Sequence, residues 1–284
     1  MGARAGAAAR RVTVIGPPVV SAPALWRRIV LLPRHGHLLA ALTAHRIKVR
    51  YKQSVLGPLW AVLQPLAMMT IFAAVFSIVS PMPSGGHPYA IFAYTGLLPW
   101  TAFAGATAAA STSLVTHAAL VTRVYFPREI LPLSYVLVSL FDLVVASSVL
   151  GGMLAYYRVP LTVEALWVVP LLLLLAAATF AVSLLLCTIN VRFRDIGVAM
   201  PLLLQAGMFA SPVIYPLEAV PAAWRGLYVL NPMAGIVHGF RRALLDGAAP
   251  DPASLGASVA VVAVLLPAAY AWFKQVEATM ADHV

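Results

Sequence analysis

Six stretches of this chain are too long and too apolar for a domain of this size to bury in water. They run 57–79, 89–115, 131–155, 163–188, 196–214 and 254–273. A helix needs about 20 residues to cross a hydrocarbon layer of about 30 Å. Only 10% of the 284 residues are charged, where a soluble domain carries about 25%. With 62% hydrophobic residues and a mean hydropathy of +0.90, much of the chain needs lipid as its solvent. Inside lipid the backbone must satisfy its own hydrogen bonds, so the expected fold is an all-α polytopic membrane protein with six transmembrane helices. The 22 prolines and 18 glycines exclude one long coiled coil and point to helices that end, kink or re-enter. The fifth stretch is the shortest, with Pro201 near its start.

The apolar stretch 211–245 behaves differently. Pro212, Pro216, Pro221, Asn231 and Pro232 break it, and Arg225, Arg241 and Arg242 charge it. No uninterrupted span fits there. Two short helices that dip into the membrane and return do fit, provided protein buries their broken backbone.

Charge sets the expected orientation. Of the 19 Lys and Arg, ten precede the first span, Arg123 and Arg128 follow the second, Arg192 and Arg194 the fourth, and Lys274 the last. These fifteen fall inside if the N-terminus is cytoplasmic, leaving Arg158, Arg225, Arg241 and Arg242 outside. The positive-inside bias therefore puts both termini in the cytoplasm, with residues 1–33 and 274–284 as tails. The net charge of +10 reads as attraction to a membrane surface, with no nucleic acid as partner. Arg4, Arg10 and Arg11 are followed by Pro17, Pro18 and Pro23, which interrupt what a signal peptide would need. Cys187, the one cysteine, sits in an apolar run and reads as a small core residue.

Residues 34–56 approach the first span as RHGHLLAALTAHRIKVRYKQSVL. Leu38, Leu39 and Leu42 share a helical face, and Arg46, Lys48, Arg50 and Lys52 then alternate with Ile47, Val49 and Tyr51. Two readings fit: an amphipathic interface helix whose cations reach lipid phosphates, or the ordinary positive flank of a first span.

No catalytic site is legible. The only lysines are Lys48, Lys52 and Lys274, none in a phosphate-cradling loop, and no metal-binding or nucleophile motif appears. The seven histidines are scattered, which gives no metal site. Asp142, within SLFDLVV, is the one acid deep in an expected span. It fits a pathway, a proton carrier, or a hydrogen bond to a neighbouring helix. Tyr94, Trp100 and Phe103 in the second span, and Tyr135 and Phe141 in the third, suit either the lining of a sugar passage or helix packing. Tyr89 and Phe92, near the outer edge, read as interfacial anchors.

Three stretches resemble the permease subunits of ABC-2 type polysaccharide exporters, which move O-antigen, teichoic acid, capsule or galactan chains. They are RYKQSVLGPLWAVLQPL at 50–66, LVTRVYFPREILPLS at 120–134, and NVRFRDIG at 190 through SPVIYPLEAVP to NPMAGIVHGFRRALL at 231–245. The resemblance implies a homodimer of six-span subunits spanning 57–273, bound inside to two copies of a separate ATPase that holds ATP and Mg; this chain itself would need no cofactor. It makes 34–56 an interface helix. It makes 116–130 a cytoplasmic coupling helix, with Arg123, Val124, Tyr125, Phe126, Pro127, Arg128 and Glu129 meeting the ATPase. It makes 215–245 re-entrant external gate helices turned by Tyr215, Pro216, Asn231 and Pro232, and adds Trp60 to the channel-lining set. Arg241 and Arg242 would then sit near the outer surface, on lipid or substrate phosphate, or simply snorkelling.

The implied function is outward passage of a polyprenyl-pyrophosphate-linked glycan across a bacterial inner membrane, drawn first to the cations of 46–52, with membrane lipids as further partners. A drug or lipid exporter of the same superfamily shares this architecture. A membrane-embedded glycosyl- or acyltransferase would want acids and histidines clustered at one membrane face.

Overall fold

The computed structural model describes residues 35–52, 54–79, 82–124, 126–277 and 280. The tail expected over 1–33, Tyr125, and residues 278–279 and 281–284 of the tail expected over 274–284 lie outside the described residues. Every regular element among the described residues is helical. In chain order these are α1 (Gly36–Lys52), α2 (Leu59–Ala74, loosening into a π turn over Val75–Val79), α3 (Tyr89–Ser111), the short α4 (Ser113–Thr116) and α5 (Ala118–Arg123), α6 (Ile130–Tyr156), α7 (Val168–Arg192, entered through a 3₁₀ turn at Val163–Trp167), α8 (Asp195–Phe209), α9 (Ala222–Val229), α10 (Pro232–Leu244) and α11 (Pro252–Glu277).

Four helical segments are long and apolar enough to cross a bilayer: Leu59–Ser77, Ile130–Tyr156, Val163–Arg192 and Pro252–Glu277. The other two expected spans fall short for different reasons. α8 is apolar but has only 15 residues. α3 has 23 residues, but its tyrosines, threonines, glycines and Pro99 lower its hydropathy. That composition suits its place, because α3 is the central helix, flanked by α2, α6, α7, α8 and α10. Sixteen of its residues are buried. A helix that meets protein on most sides needs small residues for close approach more than it needs lipid-soluble ones. Ala102, Ala106, Thr107, Ala110 and Ser111 provide that surface.

The core is layered along α3. Toward one end Tyr89, Ile91, Phe92 and Tyr94 pack with Ala146, Leu150 and Leu154 of α6. In the middle Leu97, Trp100 and Ala102 meet Leu171, Leu175 and Ala178 of α7 and Ile236, Val237 and Phe240 of α10. At the other end Leu114 and Val121 pack with Leu184, Cys187 and Val191 of α7 and Ala269, Tyr270 and Phe273 of α11. Among the described residues of the longer helices, α1 buries none, α2 only Val62 and Pro65, and α8 only Met200 and Met208.

Lys274, the cation expected to open a solvated C-terminal tail, lies inside α11 and is only 5% exposed. The helix runs three residues beyond it, to Glu277, and its charge is met by Glu129 and Glu277.

Candidate coupling and gate sites

At the end where α5 runs into α6, α5 closes at Arg123, and Val124 turns to extended backbone. Arg123 and Val124 face outward, Val124 with 51% of its surface exposed. Phe126 turns inward and joins the core around Leu114 and Phe273. Arg128 donates to the carbonyl of Glu277 at 2.6 Å, on the last turn of α11. Glu129 is 2% exposed. It accepts from Tyr270 Oη at 2.9 Å and Lys274 Nζ at 2.6 Å, and Lys274 also reaches Glu277 Oε2 at 2.8 Å. Glu129, expected to pair across an external interface, is instead enclosed within the chain, while Arg128 is half-buried and gives one bond to α11. Pro127, half-buried, makes the bend into α6, and its carbonyl accepts from Ile130.

The alternating cations of α1 separate onto two faces, because residues two apart point nearly opposite ways on a helix. Arg46 lies over the Tyr135 ring at 3.7 Å, and Arg50, one turn on, pairs with Asp142 at 2.8 Å. Tyr51 donates to the other oxygen of Asp142 at 2.5 Å. Lys48 and Lys52 are exposed on the other side. The expected span 131–155 that carries Asp142 holds no cation of its own. The partners of Asp142 come from α1, 91 residues away for Tyr51, and they clamp α1 to α6. Of the four cations expected on phosphates, Arg46 and Arg50 are directed to α6. Beside the clamp lies a small hollow of about 50 Å³ of mixed lining, with Gln64, Thr101 and Ser139 joining Arg50 and Asp142 among apolar residues such as Pro65 and Leu143.

The aromatic candidates divide. Tyr94 is fully buried and donates to the Ala146 carbonyl at 3.0 Å. Trp100 packs against Phe103, with ring centroids 5.4 Å apart, and covers Gly207 of α8. Both pack within the subunit, on the side of α3 that meets its neighbouring helices. Trp60 and Phe141 are exposed; Phe103 and Tyr135 are half-buried.

In the broken stretch Asn231 caps α10. Its Oδ1 accepts from Met233 N at 3.0 Å, and its Nδ2 donates to Ser211 Oγ at 2.7 Å and Ala210 O at 3.2 Å. Pro232 takes the first helical position, where a missing N–H costs nothing. Tyr215 Oη bonds Tyr228 Oη at 2.8 Å and the Phe209 carbonyl at 2.6 Å. Pro216 leads from this turn into the 3₁₀ turn Leu217–Ala219. With Met82, Val220, Pro221 and Trp224, the two tyrosines line a largely apolar cavity of about 440 Å³.

Arg241 is the largest departure from expectation. It does not reach the outer surface: it is 5% exposed and stacks on Phe92 with 3.6 Å to the ring centroid. Its guanidinium donates to the carbonyls of Pro212 at 2.7 Å, Tyr215 at 3.2 Å, Phe92 at 3.3 Å, and Val213. Tyr89 Oη donates to the carbonyl between them, Ile214, at 2.7 Å. Four successive carbonyls of a non-helical turn are thus satisfied by two side chains, which is what irregular backbone at membrane depth requires. Gly96 makes room: a Cβ there would fall 2.5 Å from the Val213 carbonyl and overlap the guanidinium. Arg242 makes a single bond to the Ala249 carbonyl at 2.8 Å.

Sequence reading missed Gly96, Tyr51, Tyr270 and Glu277 as site residues.

The fold is that of an all-helical bundle with four helices long and apolar enough to cross a membrane and a broken apolar segment before the last of them. Residues 37–245 match the ABC-2 type transporter family, and the chain belongs to it. The relatives are more particular. The O-antigen export system permease protein RfbA of Myxococcus xanthus is 32% identical over 258 residues, covering 89% of this chain and 97% of that protein. RfbA of Klebsiella pneumoniae is 29% identical over 211 residues, covering 74% and 81%. The polysialic acid transport protein KpsM of Escherichia coli is 21% identical over 225 residues, covering 76% and 84%.

Proposed function

We propose that this chain is the membrane-spanning permease subunit of an ATP-driven exporter of lipid-linked polysaccharide. The observation that carries this reading is 32% identity along 97% of an O-antigen export permease. In this reading two copies form the passage, with α2 and α8, the sparsely buried helices on α3, turned toward the partner copy. Six helices cross the inner membrane of a bacterium, α3 and α8 among them, with both termini in the cytoplasm. Two copies of a separate ATPase hold ATP and Mg, and dock where Arg123 and Val124 face outward. Lys48 and Lys52 meet lipid headgroups, and α9 and α10 form the external gate. A polyprenyl-pyrophosphate-linked glycan enters from the inner leaflet and leaves past the tyrosine- and tryptophan-lined cavity.

The geometry supports this division of labour. An outward-facing rim is held on a segment wired to the bundle by Arg128 and Glu129, as a passage driven by an external motor needs. The test is co-expression with the candidate ATPase. Co-purification, with ATP hydrolysis stimulated by lipid-linked glycan, is the expected result. Stimulation by amphipathic drugs or free lipid, and not by glycan, would reassign the substrate.

A further inference from the structure

The Glu129–Lys274 pair joins two parts of the chain 145 residues apart, and it lies where the proposed ATPase-docking segment meets the last span. We infer that Lys274 is a positioning residue that makes α11 the rod carrying movement of that segment to the outer turn; this rests on the proposed docking of the ATPase at Arg123 and Val124.

Four features support it. The pair is closed on itself: Glu129 accepts from Tyr270 and Lys274, Lys274 also holds Glu277, and Arg128 ties down the Glu277 carbonyl. Both members are nearly inaccessible, at 2% and 5% exposure. Apolar packing of similar volume would hold two helix ends together as well or better, since desolvating two charges is costly. What directional bonds add is a fixed register and rotation between α6's start and α11's end. Finally, α11 runs as one helix from Pro252 to Glu277, with Pro267 inside it. From Lys274 back to Ser254 is about 30 Å at 1.5 Å per residue. There Gly235 of α10 meets α11 so closely that a Cβ would fall 2.5 Å from the Ser254 carbonyl. Six residues further along, α10 carries Arg241, which holds the 212–215 turn. Each joint in this path is a close polar or backbone contact, so displacement at one end is not absorbed by side-chain give at the joints.

The test uses the full complex with its ATPase in cells deleted for this gene, reading surface polysaccharide on carbohydrate-stained gels. Lys274→Met is expected to keep membrane level, ATPase co-purification and ATP hydrolysis, while surface polysaccharide falls at least tenfold. Lys274→Arg is expected to restore export to within about twofold, and the exchange Glu129→Lys with Lys274→Glu to export better than either single change. A purely stabilising pair would lower protein level and hydrolysis together. If Lys274→Met does not accumulate, Lys274→Gln, which keeps a donor for Glu129, is read in the same way. Normal export by an accumulating variant overturns the inference, as does loss of ATPase co-purification. Val124→Glu separates the underlying reading: if it leaves co-purification intact, the docking assignment fails whatever Lys274 does.

Discussion

Replacing Arg241 with methionine should unseat the 210–216 turn while leaving the bundle folded. Methionine keeps much of the aliphatic stem's volume and removes five donors. Four carbonyls, those of Phe92, Pro212, Val213 and Tyr215, lose their partner. Hydrogen bonds to a charged group are worth about 1.5–3 kcal/mol each, so the gross loss approaches about 10 kcal/mol. Against this stands the relief of no longer burying a guanidinium, and breaking a buried charged network costs about 3–5 kcal/mol net. At about 2–4 °C per kcal/mol for a chain of this size, the melting temperature of the detergent-solubilised protein should drop on the order of 10 °C. Arg242, with one bond to Ala249, serves as the control, and Arg242→Ala should move the midpoint by no more than about 3 °C, the worth of one exposed hydrogen bond. Protease access between Ser211 and Tyr215 reports the same turn directly. A shift below about 2 °C for Arg241→Met, with that turn still protected, would refute the assignment of Arg241 as the turn's anchor.

Gly96→Ala should destabilise by a similar amount through the opposite fault, since its Cβ meets the Val213 carbonyl at 2.5 Å and displaces Arg241; the same melting assay checks it. Asp142→Ala strips Arg50 and Tyr51 of their shared partner. It should free α1 at a cost of about 1–3 kcal/mol, seen as faster tryptic cleavage after Lys48, Arg50 and Lys52. Asn231→Ala removes a cap and two bonds to Ala210 and Ser211, and should cost about 1–2 kcal/mol in the same melting experiment.

The sequence disclosed most where a helix meets lipid. α6 and α7 are long, apolar runs whose ends are marked by charge or turns, so their existence follows from hydropathy. α3 was legible as a helix, while its enclosure was not: Tyr94 and Trp100 read equally as lining or packing until α6, α7 and α8 are set around them. The two faces of α1 follow from helical geometry, yet the partners of Arg46 and Arg50 are distant residues of α6. Glu129 and Arg241 misled for one reason. Charged residues at the ends of apolar segments look solvated in one dimension, and only the fold brings Lys274 to the first and four backbone carbonyls to the second. The breaks in 211–245 were visible from proline and asparagine alone, and Asn231 caps the helix that Pro232 begins.

The most direct measurement of the exporter role uses inside-out membrane vesicles carrying this chain and its ATPase, supplied outside with radiolabelled lipid-linked glycan. Glycan that becomes protected from added glycosidase only with ATP, and not in vesicles lacking this chain, is the expected result. Protection that is independent of ATP, or equal without this chain, would contradict a role in ATP-driven polysaccharide export.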